Sequence, residues 1–278
     1  MKIMLLPATA IMIAIASCCD PVPGGPAEAS TPATGLNRKD EKQSTMRFPR
    51  EDNPALGRGI HAPLRDFPAN YVFRSGGLPG CTSVLVGSRA LLTAAHCVSE
   101  TNKGSIERNN TKHTGTCERA PGFMANPADK SVDLALCRME PEITGIKFES
   151  LGNPGTALRE DIQLLRTGFG CEERFGRAAE GGLQKARSTI ESLPATDNFI
   201  RMGSESDLCS GDSGGPAYLL LSDEESGPRL VVGVNAQSGT RLASVTTQSA
   251  RNFITGWAAG QAGAPICGIS QNARNCRN

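Results

Sequence analysis

Gly211-Asp212-Ser213-Gly214-Gly215-Pro216 is the stretch on which the reading of this chain turns. Three glycines around one serine permit a tight turn, because glycine adopts backbone angles that a Cβ forbids. Such a turn exposes backbone N–H groups, which can stabilise charge developing on an attacked carbonyl. Two further segments point to the same chemistry. In Leu92-Thr93-Ala94-Ala95-His96-Cys97 a histidine stands among small residues, so its ring can approach another group closely and act as a general base. In Ser131-Val132-Asp133-Leu134-Ala135-Leu136 a lone carboxylate interrupts an apolar run. A carboxylate buried there needs a partner, and an imidazole N–H is a good one. Taken singly, each segment has a plainer alternative: a surface turn, a structural histidine, a turn-capping aspartate.

Around these motifs lie short apolar runs broken by Gly, Pro and Asn. Tyr71-Val72-Phe73, Ser83-Val84-Leu85-Val86, Ala90-Leu91-Leu92, Leu134-Ala135-Leu136 and Leu230-Val231-Val232-Gly233-Val234 have strand length and turn-forming borders. That is the pattern of an all-β sandwich or barrel. The segment Ser249–Gln261 reads as a helix, with Phe253 and Trp257 four apart on one face. The composition agrees: 31 glycines and 18 prolines with 4% aromatics describe a loop-rich β protein.

In this order, TAAHC, DLAL and GDSGGP resemble the trypsin-like (chymotrypsin-fold) serine peptidases over about residues 60–261. The resemblance implies an all-β fold of two packed antiparallel β-barrels with a C-terminal helix and an active site between the barrels. It implies Ser213 as nucleophile, His96 as acid–base and Asp133 as the group that orients His96, with the N–H groups of Gly211 and Ser213 as oxyanion hole. The implied activity is that of a serine endopeptidase acting on protein or peptide substrates without a cofactor. The alternative is a non-catalytic or partner-gated binding protein on the same scaffold.

The resemblance also implies a specificity pocket and an activation step. Asp207, six residues before Ser213, stands where a carboxylate floors the S1 pocket and selects substrate Arg or Lys through a charge-assisted hydrogen bond. Gln237 and Ser244 stand where wall glycines are expected, and Gln237 narrows the entrance, which makes small or apolar residues the next choice. The family makes a new N-terminus whose amine pairs with the Asp before the nucleophile, here Asp212, which is expected to order the oxyanion loop; Ile60-His61-Ala62-Pro63, close after Arg58, lies in place but lacks the family's glycines, and no cleavage site is assigned.

Ten cysteines point to an oxidising compartment. With Cys18 and Cys19 set aside, the remaining eight permit on the order of 100 pairings. The resemblance implies Cys81–Cys97 bracing the histidine loop, Cys117–Cys137 on either side of Asp133, Cys171–Cys209, and Cys267–Cys276 in the tail. The absence of Cys-x-x-Cys and the presence of three histidines speak against a metal site.

The remaining chain is address and tether. Residues 1–17 read as a signal peptide: Lys2 followed by an apolar run of secretory rather than spanning length. Ile15-Ala16-Ser17-Cys18 resembles a bacterial lipobox with Cys18 the lipidated residue; a plain signal peptide is the alternative. Residues 18–57 are Pro/Gly/Ser/Thr-rich and then charged, the composition of a flexible tether. Residues 58–261 are the expected peptidase domain and 262–278 a disulfide-stapled tail. The expected location is beyond a bacterial inner membrane: periplasmic, on the outer membrane or cell surface as a lipoprotein, or extracellular. Membrane contact is expected only through Cys18. With 29 Lys+Arg against 28 Asp+Glu, no basic excess points to nucleic acid.

Overall fold

Strand-length apolar runs leave one face of each strand to bury, and sheets that close on themselves bury it without leaving an edge. A computed structural model describes residues 60–78, 80–170, 182–204, 208–237 and 240–277, and the side chain of Gln237 is not among what it describes. The signal peptide, the tether, Cys18, Cys171 and Asp207 therefore lie outside the described residues.

A short strand, β1 (Ile60–His61), precedes the first barrel. That barrel consists of β2 (Asn70–Phe73), β3 (Cys81–Leu85), β4 (Ala90–Thr93), β5 (Lys103–Arg108), β6 (Thr111–Arg119) and β7 (Ala135–Glu140). Its strands run in the order β2-β3-β4-β7-β6-β5, and an antiparallel bridge between Arg74 and Ser105 joins the two ends. The period of two is plain in β6, where His113, Gly115 and Cys117 turn inward and Thr114, Thr116 and Glu118 outward. At Gly104 a Cβ would lie 2.2 Å from the Phe73 ring, so the barrel interior admits no side chain there.

After α1 (Pro121–Ala125) and β7 comes β8 (Phe148–Leu151), and then the second barrel. It comprises β9 (Gln163–Gly168), β10 (Gln184–Ser192), β11 (Phe199–Met202), β12 (Pro216–Leu220), β13 (Arg229–Gln237) and β14 (Arg241–Ser244). The order β12-β9-β10-β11-β14-β13 closes through the β12–β13 pairing, while β1 adds to β10 and β8 runs parallel to β13. The helix α2 (Gln248–Gly260) starts on Thr247, whose hydroxyl accepts from the Ala250 N–H. It buries Ala250, Ile254 and Trp257. Sequence places this helix one residue later.

The tail differs from its expected separateness. The Cys267 N–H donates to the Val86 carbonyl at 2.8 Å, and the Leu151 N–H donates to the Cys267 carbonyl at 3.0 Å. Beyond it, β15 (Cys276–Arg277) runs parallel to β8. Residues 262–277 thus strap the first barrel to the edge of the second, and the Cys267–Cys276 disulfide closes the strap.

Candidate active site

Glycine geometry builds the turn that carries Ser213. Gly211 has φ +103° and Gly214 φ +82°, where L side chains are strained. A Cβ on Gly214 would lie 2.2 Å from the Thr82 carbonyl oxygen, 2.2 Å from the Thr93 hydroxyl and 3.0 Å from the Ala94 nitrogen. This close approach lays the serine turn against the segment that leads to His96. Thr82 fastens it. Its N–H donates to the Ser213 carbonyl at 2.8 Å, and its hydroxyl donates to the Gly211 carbonyl at 2.7 Å while accepting from the Phe169 N–H at 2.8 Å.

The N–H groups around the serine divide into two kinds. Those of Asp212, Gly214 and Gly215 donate to carbonyl oxygens of Cys209, Asn235 and Asp212 at 3.1, 2.8 and 2.9 Å. Among the described residues, those of Gly211 and Ser213 donate to no internal acceptor. Two donors on either side of Asp212 therefore stay open, the arrangement needed to receive an oxyanion.

His96 sits in a helical turn, Ala95–Cys97, which the Cys81–Cys97 disulfide ties to β3. One carboxylate fixes both its backbone and its ring. The His96 N–H donates to Asp133 Oδ1 at 2.8 Å, and Nδ1 meets Asp133 Oδ2 at 2.5 Å. Asp133 is fully buried, whereas 29% of the His96 side chain is exposed. With Nδ1 engaged, Nε2 is the ring nitrogen left to accept a proton. Asp133 ends a turn, Lys130–Val132, capped by Asp129, so the turn-capping role belongs to its neighbour. Cys117 and Cys137 face each other across β6 and β7 and are bonded. The sulfurs of Cys81 and Cys97 lie within 4.8 Å of a His96 ring nitrogen, but they are bonded to each other and offer no thiolate to a metal.

Asp212 is buried under this turn, and its carboxylate is held by main chain. The Gly170 N–H donates to Oδ1 and the Cys209 N–H to Oδ2, each at 2.8 Å. A Cβ at Gly168 would come within 2.1 Å of Oδ1 and one at Gly170 within 2.5 Å, so the glycines of Thr167-Gly168-Phe169-Gly170 make room for the carboxylate. Asn235 donates from Nδ2 to the Asp212 and Thr167 carbonyls at 3.1 and 3.2 Å, and accepts from buried Arg166 Nε at 3.1 Å. Burial pushes the Asp212 carboxyl above its ordinary range; the two N–H donors and the Arg166 charge pull it down without cancelling that push.

In the intact chain Ile60 pairs with Lys185 in the β1–β10 ladder and is 52% exposed. Ser244 lies on β14 opposite Gly233, and Arg241 lies opposite Gln237. Ser244 is fully buried, with its hydroxyl 2.9 Å from that of Thr246. Cys209 is disulfide-bonded, while its expected partner Cys171 and the expected pocket floor Asp207 are outside the described residues.

Thr82, Arg166 and Asn235 escaped the sequence reading. Arg166 carried a usable signal, a lone charge in the apolar run Leu164-Leu165-Arg166, the same signal that marks Asp133. Thr82 and Asn235 carried none, since each reads as an ordinary strand residue.

Two closed antiparallel barrels, a histidine held by a buried aspartate and a glycine-framed serine turn laid against the segment that leads to that histidine define the class of chymotrypsin-fold serine peptidases. The chain belongs to the trypsin family, whose family model, described as Trypsin, matches residues 58–252. Similar proteins include chymotrypsin-like elastase family member 1 from Felis catus, 28% identical over 215 residues that cover 64% of this chain and 78% of the relative. The Canis lupus familiaris and Homo sapiens proteins of the same name are each 25% identical, covering 64% and 66% of this chain and 81% and 82% of the relative.

Proposed function

We propose that this chain is a serine endopeptidase that cleaves after Arg or Lys through an acyl-enzyme. Ser213 Oγ attacks the scissile carbonyl while His96 Nε2 takes its proton, and Asp133 orients and stabilises the imidazolium. The carbonyl oxygen gains negative charge between the N–H groups of Gly211 and Ser213. His96 then protonates the leaving amine, and water releases the acyl group by the same route. The carrying observation is the hydrogen-bonding of the serine turn: its other N–H groups are used internally, and these two are left open. Losing one such donor costs about 10²–10³ in rate, so leaving both open has a large catalytic value.

Cleavage after basic residues rests on Asp207 and its position in the sequence. A second reading, cleavage after small or apolar residues, is favoured by Gln237 at the pocket wall and by the relatives' name, elastase. Secretion and a lipid anchor at Cys18 belong to the same proposal, with residues 18–57 holding the peptidase off a membrane.

Chromogenic peptides carrying Arg, Lys, Leu, Phe, Ala or Glu at P1 test this reading. Hydrolysis after Arg and Lys is expected, falling by about 10⁶ in Ser213→Ala. Hydrolysis confined to Ala or Leu would replace the Asp207 assignment and keep the triad. Peptide binding with no hydrolysis in either protein would make the chain a binding protein.

A further inference from the structure

The chain is almost neutral overall, yet one groove gathers positive charge. It runs between the segment Leu64–Arg74 and the β5–β6 hairpin, with a volume of about 690 Å³. Its floor is apolar: Phe67, Val72, Ile106 and Ile146. Its rim carries Arg65, Arg74, Arg108 and Lys112 against the single carboxylate of Glu107. A second hollow of about 710 Å³ adjoins it, sharing Arg74 and Lys112 and adding Lys103 and Arg138 with the carboxylates of Glu118 and Glu140. Arg74 and Lys112 are exposed and form no ion pair among the described residues. Leu64, at the groove's wall, is 54% exposed.

The groove is built rather than incidental. Its wall is anchored by Arg229, which donates to the Asp66 carbonyl at 3.0 Å and stacks 4.4 Å from the Phe67 ring centroid. Phe169 is among its lining residues, and its N–H reaches the Gly211 carbonyl through one hydroxyl, that of Thr82. One lining residue is thus linked to the serine turn.

We propose that this groove binds an extended segment of the protein substrate, remote from the scissile bond and carrying both apolar side chains and carboxylates. The proposal rests on the peptidase reading. Apolar anchors fill the floor while carboxylates meet Arg74 and Lys112, the division of labour in which burial gives affinity and charge gives selection and capture rate. Glu107 on the rim and the apolar floor both disfavour a uniform polyanion such as nucleic acid. The chain's own tether is a poor occupant, since residues 18–57 carry five Lys/Arg against six Asp/Glu.

Fluorescence anisotropy of the full chain with a fluorescein-labelled peptide alternating Glu and Leu tests the proposal. Binding is expected. Joint reversal of Arg74→Glu and Lys112→Glu weakens it about tenfold or more, Leu64→Ser weakens it less, and the distant reversal Arg159→Glu leaves it unchanged. Replacing the peptide's Glu by Gln has the effect of the double reversal. Three results would overturn the proposal: no binding to the unsubstituted chain, binding indifferent to the double reversal, or equal binding of polyglutamate or single-stranded DNA. Anisotropy reads binding whether or not Ser213 cleaves, so loss of hydrolysis alone would fail the peptidase reading and spare this one.

Discussion

Among the described residues, the first barrel carries two cross-links and little buried charge, whereas the second buries several charged side chains. Cys81–Cys97 and Cys117–Cys137 cross-link the barrel that carries His96 and Asp133. Asp133 is the one fully buried carboxylate described there. The second barrel buries Glu149, Arg166, Asp212 and Arg229. Two chemical tasks account for the difference. The first barrel presents one side-chain pair, and a staple near each member suffices. The second presents main-chain N–H groups, and a backbone turn keeps its shape only when each other polar group around it has a partner. Asp212 supplies those partners: its two carboxylate oxygens hold Gly170 and Cys209, and its carbonyl accepts from Gly215 and Asn235.

The comparison can be broken most sharply at Arg229. Its guanidinium donates to both oxygens of Glu149, at 3.0 and 2.5 Å, between the Phe67 and Tyr218 rings. Arg229→Met strands a buried carboxylate, leaving it Arg277 Nε at 3.4 Å. A loss of about 3–5 kcal/mol is expected in chemical unfolding. The double change Arg229→Met with Glu149→Leu should recover most of it, since a buried pair replaced whole is often neutral. If the single change cost no more than a surface substitution, charge would not be what holds the second barrel.

A smaller effect is expected in the first barrel. Replacing Cys117 and Cys137 by Ser opens a cross-link with a sequence separation of 20. The loop-closure argument gives about 3 kcal/mol, acting through the unfolded chain. The unfolding midpoint should fall while peptide hydrolysis below that midpoint persists, because β6 and β7 remain paired on both sides of the site. Loss of activity without loss of stability would mean that the bond positions Asp133 directly.

The smallest effect is a dependence on pH. Folding raises the Asp212 pKa, so the native state holds its proton more tightly than the unfolded chain. The stabilisation is fully present below the ordinary carboxylate value, 3.8, and is lost as pH rises through the folded value. The stability difference between the unsubstituted chain and Asp212→Asn should therefore shrink as pH rises from that value, in unfolding curves taken across the acidic range. A difference that grew with pH would mean that the Arg166 charge and the two N–H donors outweigh burial.

How much was legible depended on the distance over which each signal acts. Strand runs, the α2 helix and the three described disulfides of the resemblance appear as expected, because period, length and cysteine spacing are local or carried by motif. His96 and Asp133 were legible because a small-residue frame and a lone carboxylate in an apolar run are each unusual. The Arg166–Asn235–Asp212 arrangement was not, because its members lie 23 to 69 residues apart and meet only through strand pairing.

The sequence by itself determined the class of fold, the family and the candidate residues for the proposed chemistry, since these follow from periodicity and from motifs whose residues are neighbours in the chain. The tertiary structure alone decided which N–H groups stay open beside Ser213, what holds Asp212, where the tail runs, and that scattered Arg and Lys side chains share one groove. Those outcomes depend on which distant backbones come within hydrogen-bonding reach, and no local pattern encodes that distance.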